Sequence, residues 1–94
     1  MRFKKFKIGD KIISDTKEID KILAENNLHW VVDSEIENVN VEIENKTLIW
    51  YNGDYYTGNW HYGIWKNGDF KGTWENGIWE GGKFSGTWIS GIKF

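Results

Sequence analysis

"TWENGIWEGG", residues 73–82, sets Trp74 and Trp79 around an Asn-Gly pair. The stretches on either side, "IWKNGDF" at 64–70 and "FSGTWISG" at 84–91, use the same spelling. From Ile49 onward the chain repeats: "IWYNGDYYTGNW", "IWKNGDFKGTW" and "IWEGGKFSGTW" begin at Ile49, Ile64 and Ile78, and a truncated copy begins at Ile92. A tighter unit, aromatic-x-Gly-x-Trp-x-x-Gly, starts at Tyr56, Phe70 and Phe84, a spacing of fourteen. Self-similarity at a fixed period decides architecture before any single motif does.

Asn-Gly between strand residues signals a tight hairpin, because a type I′ turn needs positive φ at both central positions. Asn52-Gly53, Asn67-Gly68 and Asn76-Gly77 carry that signal, and Gly81-Gly82 and Ser90-Gly91 fill the same slot. Two-residue turns there would oppose Trp74 to Trp79, Trp50 to Tyr55, Trp60 to Trp65, Trp65 to Phe70 and Trp79 to Phe84. Cross-strand aromatic pairs of this kind stabilise a sheet by roughly 0.2–1 kcal/mol each. Gly72 and Gly86 share a strand face with the rings beside them, leaving bare backbone for a neighbouring ring to cover. A solenoid with a fourteen-residue coil would have to wrap indoles inside a very small cross-section, which close packing disfavours. The expected fold class is therefore α+β, mainly β: an N-terminal strand-helix-strand head over 1–48, then a twisted antiparallel meander over 49–94, in a single domain.

The head reads as ordinary α+β. "FKKFKIGDKIIS" suggests a strand or hairpin turning at Gly9-Asp10. Asp15 is placed to cap a helix, with Glu18 three residues on and Ile19, Ile22 and Leu23 on one face. "LHWVVD" reads as a short apolar strand, and Val39, Val41 and Ile43 alternate with polar residues as a half-buried strand turning at Asn45-Lys46.

With 94 residues, 39% of them hydrophobic, and no Pro, the chain should fold around one small core. No Cys means no disulfide and no thiolate metal site. The basic start lacks a continuous apolar run, so no signal peptide and no membrane span are expected, and a cytoplasmic location is. Net charge is −2, unevenly spread: Arg2, Lys4, Lys5, Lys7 and Lys11 outweigh Asp10, while Asp33, Glu35, Glu37, Glu42 and Glu44 form an acidic run. A general nucleic-acid binder would carry more positive charge.

The unit standing here as "YTGNWHYG", "FKGTWENG" and "FSGTWISG" resembles the core of the MORN repeat, over roughly Tyr56 to Gly91. That resemblance implies successive β-hairpins and a role in protein or sometimes lipid binding. These units run to fourteen residues where MORN units run to about twenty-three and carry a second Gly-x-Gly stretch. Glycine-tryptophan arrays of this kind are also similar to those in small proteins of phages and low-GC bacteria.

Nucleophilic catalysis needs a base and an orienting acid beside Ser, Thr or Cys. His29 and His61 stand in unrelated contexts, and His61 occupies the repeat slot that holds Glu75 and Ile89 in other copies. Both read as structural, so no catalytic residue, metal or cofactor is expected and the protein is not read as an enzyme. The acidic run of Glu35, Glu37, Glu42 and Glu44 reads as the solvated face of a strand pair, the alternatives being a cation site or an imitation of a phosphate backbone. Candidate binding residues are Trp60, Trp65, Trp74, Trp79 and Trp88, if one aromatic face stays open, and the basic Arg2, Lys4, Lys5 and Lys7. The functional expectation is a non-enzymatic interaction module for a protein or ribonucleoprotein, in its specific form a phage- or mobile-element-encoded inhibitor of a host defence protein, anti-CRISPR-like. Alternatives are a carbohydrate-binding or self-associating structural repeat, through a sheet edge or the aromatic face, and nucleic-acid contact through the basic start.

Overall fold

The computed structural model describes residues 2–94. Strands β1 (Phe3–Ile8) and β2 (Lys11–Ile12) form a hairpin at Gly9, then α1 (Thr16–Glu25) and α2 (His29–Val32) precede the long strands β3 (Glu35–Glu44) and β4 (Thr47–Thr57). Asp15 caps α1 as its sequence position suggests, its carboxylate accepting from the Glu18 N–H at 3.2 Å. Ile19 and Leu23 bury that helix against the sheet, where Val39, Val41 and Ile43 alternate inward. β3 turns into β4 at Asn45 and Lys46, whose φ values of 51° and 63° are the two left-handed residues a type I′ turn requires.

"LHWVV" is a helical turn, not the expected strand. Asn27, left-handed at φ 59°, ends α1, and the Leu28 N–H donates to Leu23 O at 2.8 Å. α2 then buries Trp30 and Val31, with Ser34 Oγ donating back to Trp30 O at 2.7 Å. A short apolar run satisfies burial as either element, so periodicity could not separate them.

The class is the expected one: mainly β, with a short helical part. Pairing within the repeat half is different. Eight two-residue strands follow β4: β5 (Asn59–Trp60), β6 (Ile64–Trp65), β7 (Asp69–Phe70), β8 (Thr73–Trp74), β9 (Ile78–Trp79), β10 (Lys83–Phe84), β11 (Thr87–Trp88) and β12 (Ile92–Lys93). None pairs with its sequence neighbour. β4 pairs with β6, β6 with β9 and β9 with β12, all parallel. β4 also pairs with β7 and β7 with β10, while β5, β8 and β11 form the third side. The arrangement is a three-sided β-solenoid, which corrects the expectation of antiparallel strands across each turn. Since Trp50 lies beside Trp65 and Trp65 beside Trp79, one coil takes 15 residues and the next 14.

Two physical facts produce the coil. At the Asn-Gly corners only the glycine has positive φ, as at Gly53 (130°), Gly68 (123°) and Gly77 (127°), while Asn52, Asn67 and Asn76 do not. A type I′ reversal needs both, so each corner bends the backbone onto a new side and does not fold it back. The rings then close the cross-section. Trp65, Phe70 and Trp74 meet edge-on around one coil, with centroids 5.4 and 5.6 Å apart, and Trp74 meets Trp79 of the next at 5.6 Å. Between coils the rings lie flat on one another in three columns, Trp50–Trp65–Trp79, Tyr55–Phe70–Phe84 and Trp60–Trp74–Trp88, at 4.7–5.3 Å. That spacing matches the roughly 4.8 Å between hydrogen-bonded strands. Planar rings thus stack in step with the backbone, and the packing objection to so small a coil does not hold.

Glycine corners stack as well, in the columns Gly53–Gly68–Gly82, Gly58–Gly72–Gly86 and Gly63–Gly77–Gly91. A Cβ on Gly77 would stand 2.5 Å from the Gly63 carbonyl oxygen. Backbone bonds such as Glu75 N–H to Trp60 O (2.8 Å) and Ile78 N–H to Gly63 O (2.9 Å) knit each coil to the one before. One hydrophobic cluster runs continuously from Phe6 in the head to Trp79 in the solenoid.

Candidate binding surface

The solenoid's tryptophans offer little open surface, and its exposed aromatics are Tyr51, Tyr56, Tyr62 and Phe94. Trp60, Trp65 and Trp74 are 0% exposed and Trp79 2%. These four candidates are corrected to core residues: a coil this narrow has one interior, and every inward ring is walled in by three strands. Trp88, in the last coil, is half-buried. Buried indole N–H groups of Trp50, Trp60, Trp65 and Trp74 lack a conventional acceptor. The Trp60 and Trp74 Nε1 atoms stand beside glycine corners, 3.1 and 3.0 Å from where a Cβ on Gly77 or Gly91 would be.

Arg2 is also committed to structure. Its Nη2 donates to Val31 O at 2.8 Å and Val32 O at 3.0 Å, and Nη1 stands 3.8 Å from Asp20. The guanidinium thereby satisfies the carbonyls that end α2. Lys4 and Lys5 are exposed and Lys7 is half-buried, on a β1 strand whose first half has no partner on its outer side. Lys5 and Lys7 line a shallow groove with Asn40, Val41, Glu42 and Tyr51. The Tyr51 hydroxyl donates to Glu42 at 2.9 Å, and that carboxylate, through the hydrogen bond first, raises the phenol's pKa. The groove is therefore mixed in charge, not basic.

Structure brings together the two histidines that sequence left apart. His29 and His61 border one shallow hollow with Trp30, Asp33 and Asn59. His61 stacks on Trp30, centroids 5.4 Å apart and planes 7° from parallel, and stands 3.7 Å from Glu75 one coil on. His61 is exposed, but its slot lies just past the end of β5 and not within a strand, as do those of Glu75 after β8 and Ile89 after β11. Among the described residues no three His, Asp or Glu side chains converge as a metal site, and no helix is long and apolar enough to cross a membrane. Below this hollow the Tyr55 hydroxyl meets Ser34 Oγ at 2.5 Å, and burial pushes the phenol's pKa up to about 12. Since Ser34 donates its proton to Trp30 O, Tyr55 is the donor in that pair.

What sequence reasoning missed is the outward pattern. Alternation along each strand turns Ile49, Ile64, Ile78 and Ile92 away from the ring columns. Ile64 and Ile78 are half-buried and stand outside the core cluster, and Ile92 is 56% exposed. Tyr51, Lys66 and Glu80 run beside them, with Lys66 Nζ 3.3 Å from Glu80. This isoleucine ridge lies on the nine-stranded sheet that continues through β3 to β1. The recurrence of Ile at 49, 64, 78 and 92 was its signal, and only the parallel register makes it a column.

No protein family, curated protein or solved structure matches this sequence.

Proposed function

We propose that the protein is a cytoplasmic, non-enzymatic interaction module whose contact surface is the outer face of the nine-stranded sheet. The carrying observation is the ridge of Ile64, Ile78 and Ile92 outside the core cluster, flanked by Tyr51, Lys66 and Glu80. Contiguous outward apolar side chains with a polar rim suit a macromolecular partner. A solenoid locked by stacked rings presents that surface already ordered, so little conformational entropy is lost on docking. The partner class is a protein or ribonucleoprotein. An inhibitor of a host defence protein is the specific form suggested by the glycine-tryptophan array alone, and inhibition assays on such enzymes test it.

The test is capture from bacterial lysate with matched surface variants. Ile64→Lys with Ile78→Lys should abolish a stoichiometric partner, whereas Thr73→Lys with Thr87→Lys, on the β5–β8–β11 side, should retain it. Both must keep the parent's near-ultraviolet circular dichroism. A partner lost equally from both variants, retained by both, or never captured would refute the surface assignment.

A further inference from the structure

Three Asn-Gly pairs stand at solenoid corners, and their side chains are not equivalent. At Asn52 the following Gly53 N–H donates to the asparagine's own Oδ1 at 2.9 Å, and at Asn76 the Gly77 N–H does the same at 2.9 Å. Asn67 makes no such bond: its Oδ1 lies instead toward the next corner of the column, 3.2 Å from where a Cβ on Gly82 would be. All three asparagines are exposed to water.

We propose that Asn52 and Asn76 are sites of spontaneous deamidation and isomerisation in the folded protein, and that Asn67 is held out of that reaction. Loss of the glycine N–H proton to hydroxide lets that nitrogen attack the asparagine Cγ. The new C–N bond closes a five-membered succinimide while the bond from Cγ to Nδ2 breaks and ammonia leaves with a proton from water. Water then opens the ring at either carbonyl, giving aspartate or isoaspartate. No oxidant or cofactor enters the balance. Glycine lacks the Cβ that would crowd the attack, and at Asn52 and Asn76 the asparagine's amide group already rests against the attacking nitrogen, the placement that makes ring closure cheap in entropy.

Isoaspartate routes the backbone through Cβ, lengthening a coil whose size is fixed by strand register. At Asn76 the lengthened corner adjoins Gly77, whose carbonyl accepts from the Ile92 N–H at 2.9 Å, so the last coil would be displaced. Each conversion also adds one negative charge to a protein of net charge −2.

Trypsin separates the three sites, because Lys46, Lys66, Lys71 and Lys83 place Asn52, Asn67 and Asn76 in different peptides. The folded protein is held in mildly alkaline buffer, sampled over weeks, digested and mapped by mass spectrometry, with isoaspartate counted by enzymatic methyl transfer. Asn52 and Asn76 should convert several-fold faster than Asn67, and the difference should vanish in urea. Asn76→Gln should remove its own signal while leaving the Asn52 rate unchanged. Equal rates at all three sites in the folded protein, fastest conversion at Asn67, or no conversion at any site while folded would overturn the proposal.

Discussion

Trp79 lies flat on Trp65, with centroids 5.1 Å apart and planes 8° from parallel, although fourteen residues and two other inward rings separate them. Trp79 meets its nearer neighbour Trp74 edge-on at 5.6 Å. Each ring thus has edge contacts along the sequence and face contacts between coils. The solenoid is held by both at once.

Removing a central ring should therefore cost more than removing a terminal one. Trp65→Ala takes out a fully buried indole and is expected to destabilise by about 3–5 kcal/mol. Trp88→Ala, at a half-buried ring, should cost clearly less. Urea unfolding midpoints read both, and equal losses would contradict a stack anchored from the head outward.

Corner glycines should divide by what stands above or below them. Gly77→Ala combines φ 127° with a Cβ 2.5 Å from the Gly63 carbonyl oxygen, and should cost on the order of 2 kcal/mol or more. Gly81→Ala has no left-handed φ and its nearest neighbour is Lys66 O at 3.2 Å, so it should be tolerated far better. Thermal unfolding of the two variants makes the comparison.

Arg2→Ala should destabilise the head by about 1–3 kcal/mol, because it strips a charged donor from the Val31 and Val32 carbonyls. Arg2→Lys should restore only part, since an ammonium lacks the planar fork. Full stability in Arg2→Ala would free this residue for ligand contact.

Tyr55 predicts an alkaline limit. Its folded pKa of about 12 exceeds the unfolded value of 10.0, so the folded state keeps its proton where the unfolded state loses it. The associated stability is fully present below pH 10 and is lost as pH rises toward about 12. Tyr55→Phe, less stable overall for want of the Ser34 bond, should have a shallower decline across that window. An unchanged slope in urea titrations would show that Tyr55 does not set it.

Local chemistry determined much of this molecule. Asp15 capping α1, the Asn45-Lys46 reversal and the inward alternation of Val39, Val41 and Ile43 all follow from neighbours a few residues away. So do the ring contacts between successive strands: Trp74 against Trp79 and Trp60 against Trp65 were legible from spacing alone. The direction of pairing was not. An aromatic every four or five residues with glycine between satisfies a hairpin ladder and a coil equally well. Only the closed triangle of rings, stacking at the strand spacing, selects the parallel coil. That choice buried Trp60, Trp65, Trp74 and Trp79, lined up Ile64 with Ile78 on the outside and set His61 against Trp30. Those contacts lie at least fourteen residues apart, and no local pattern encodes them.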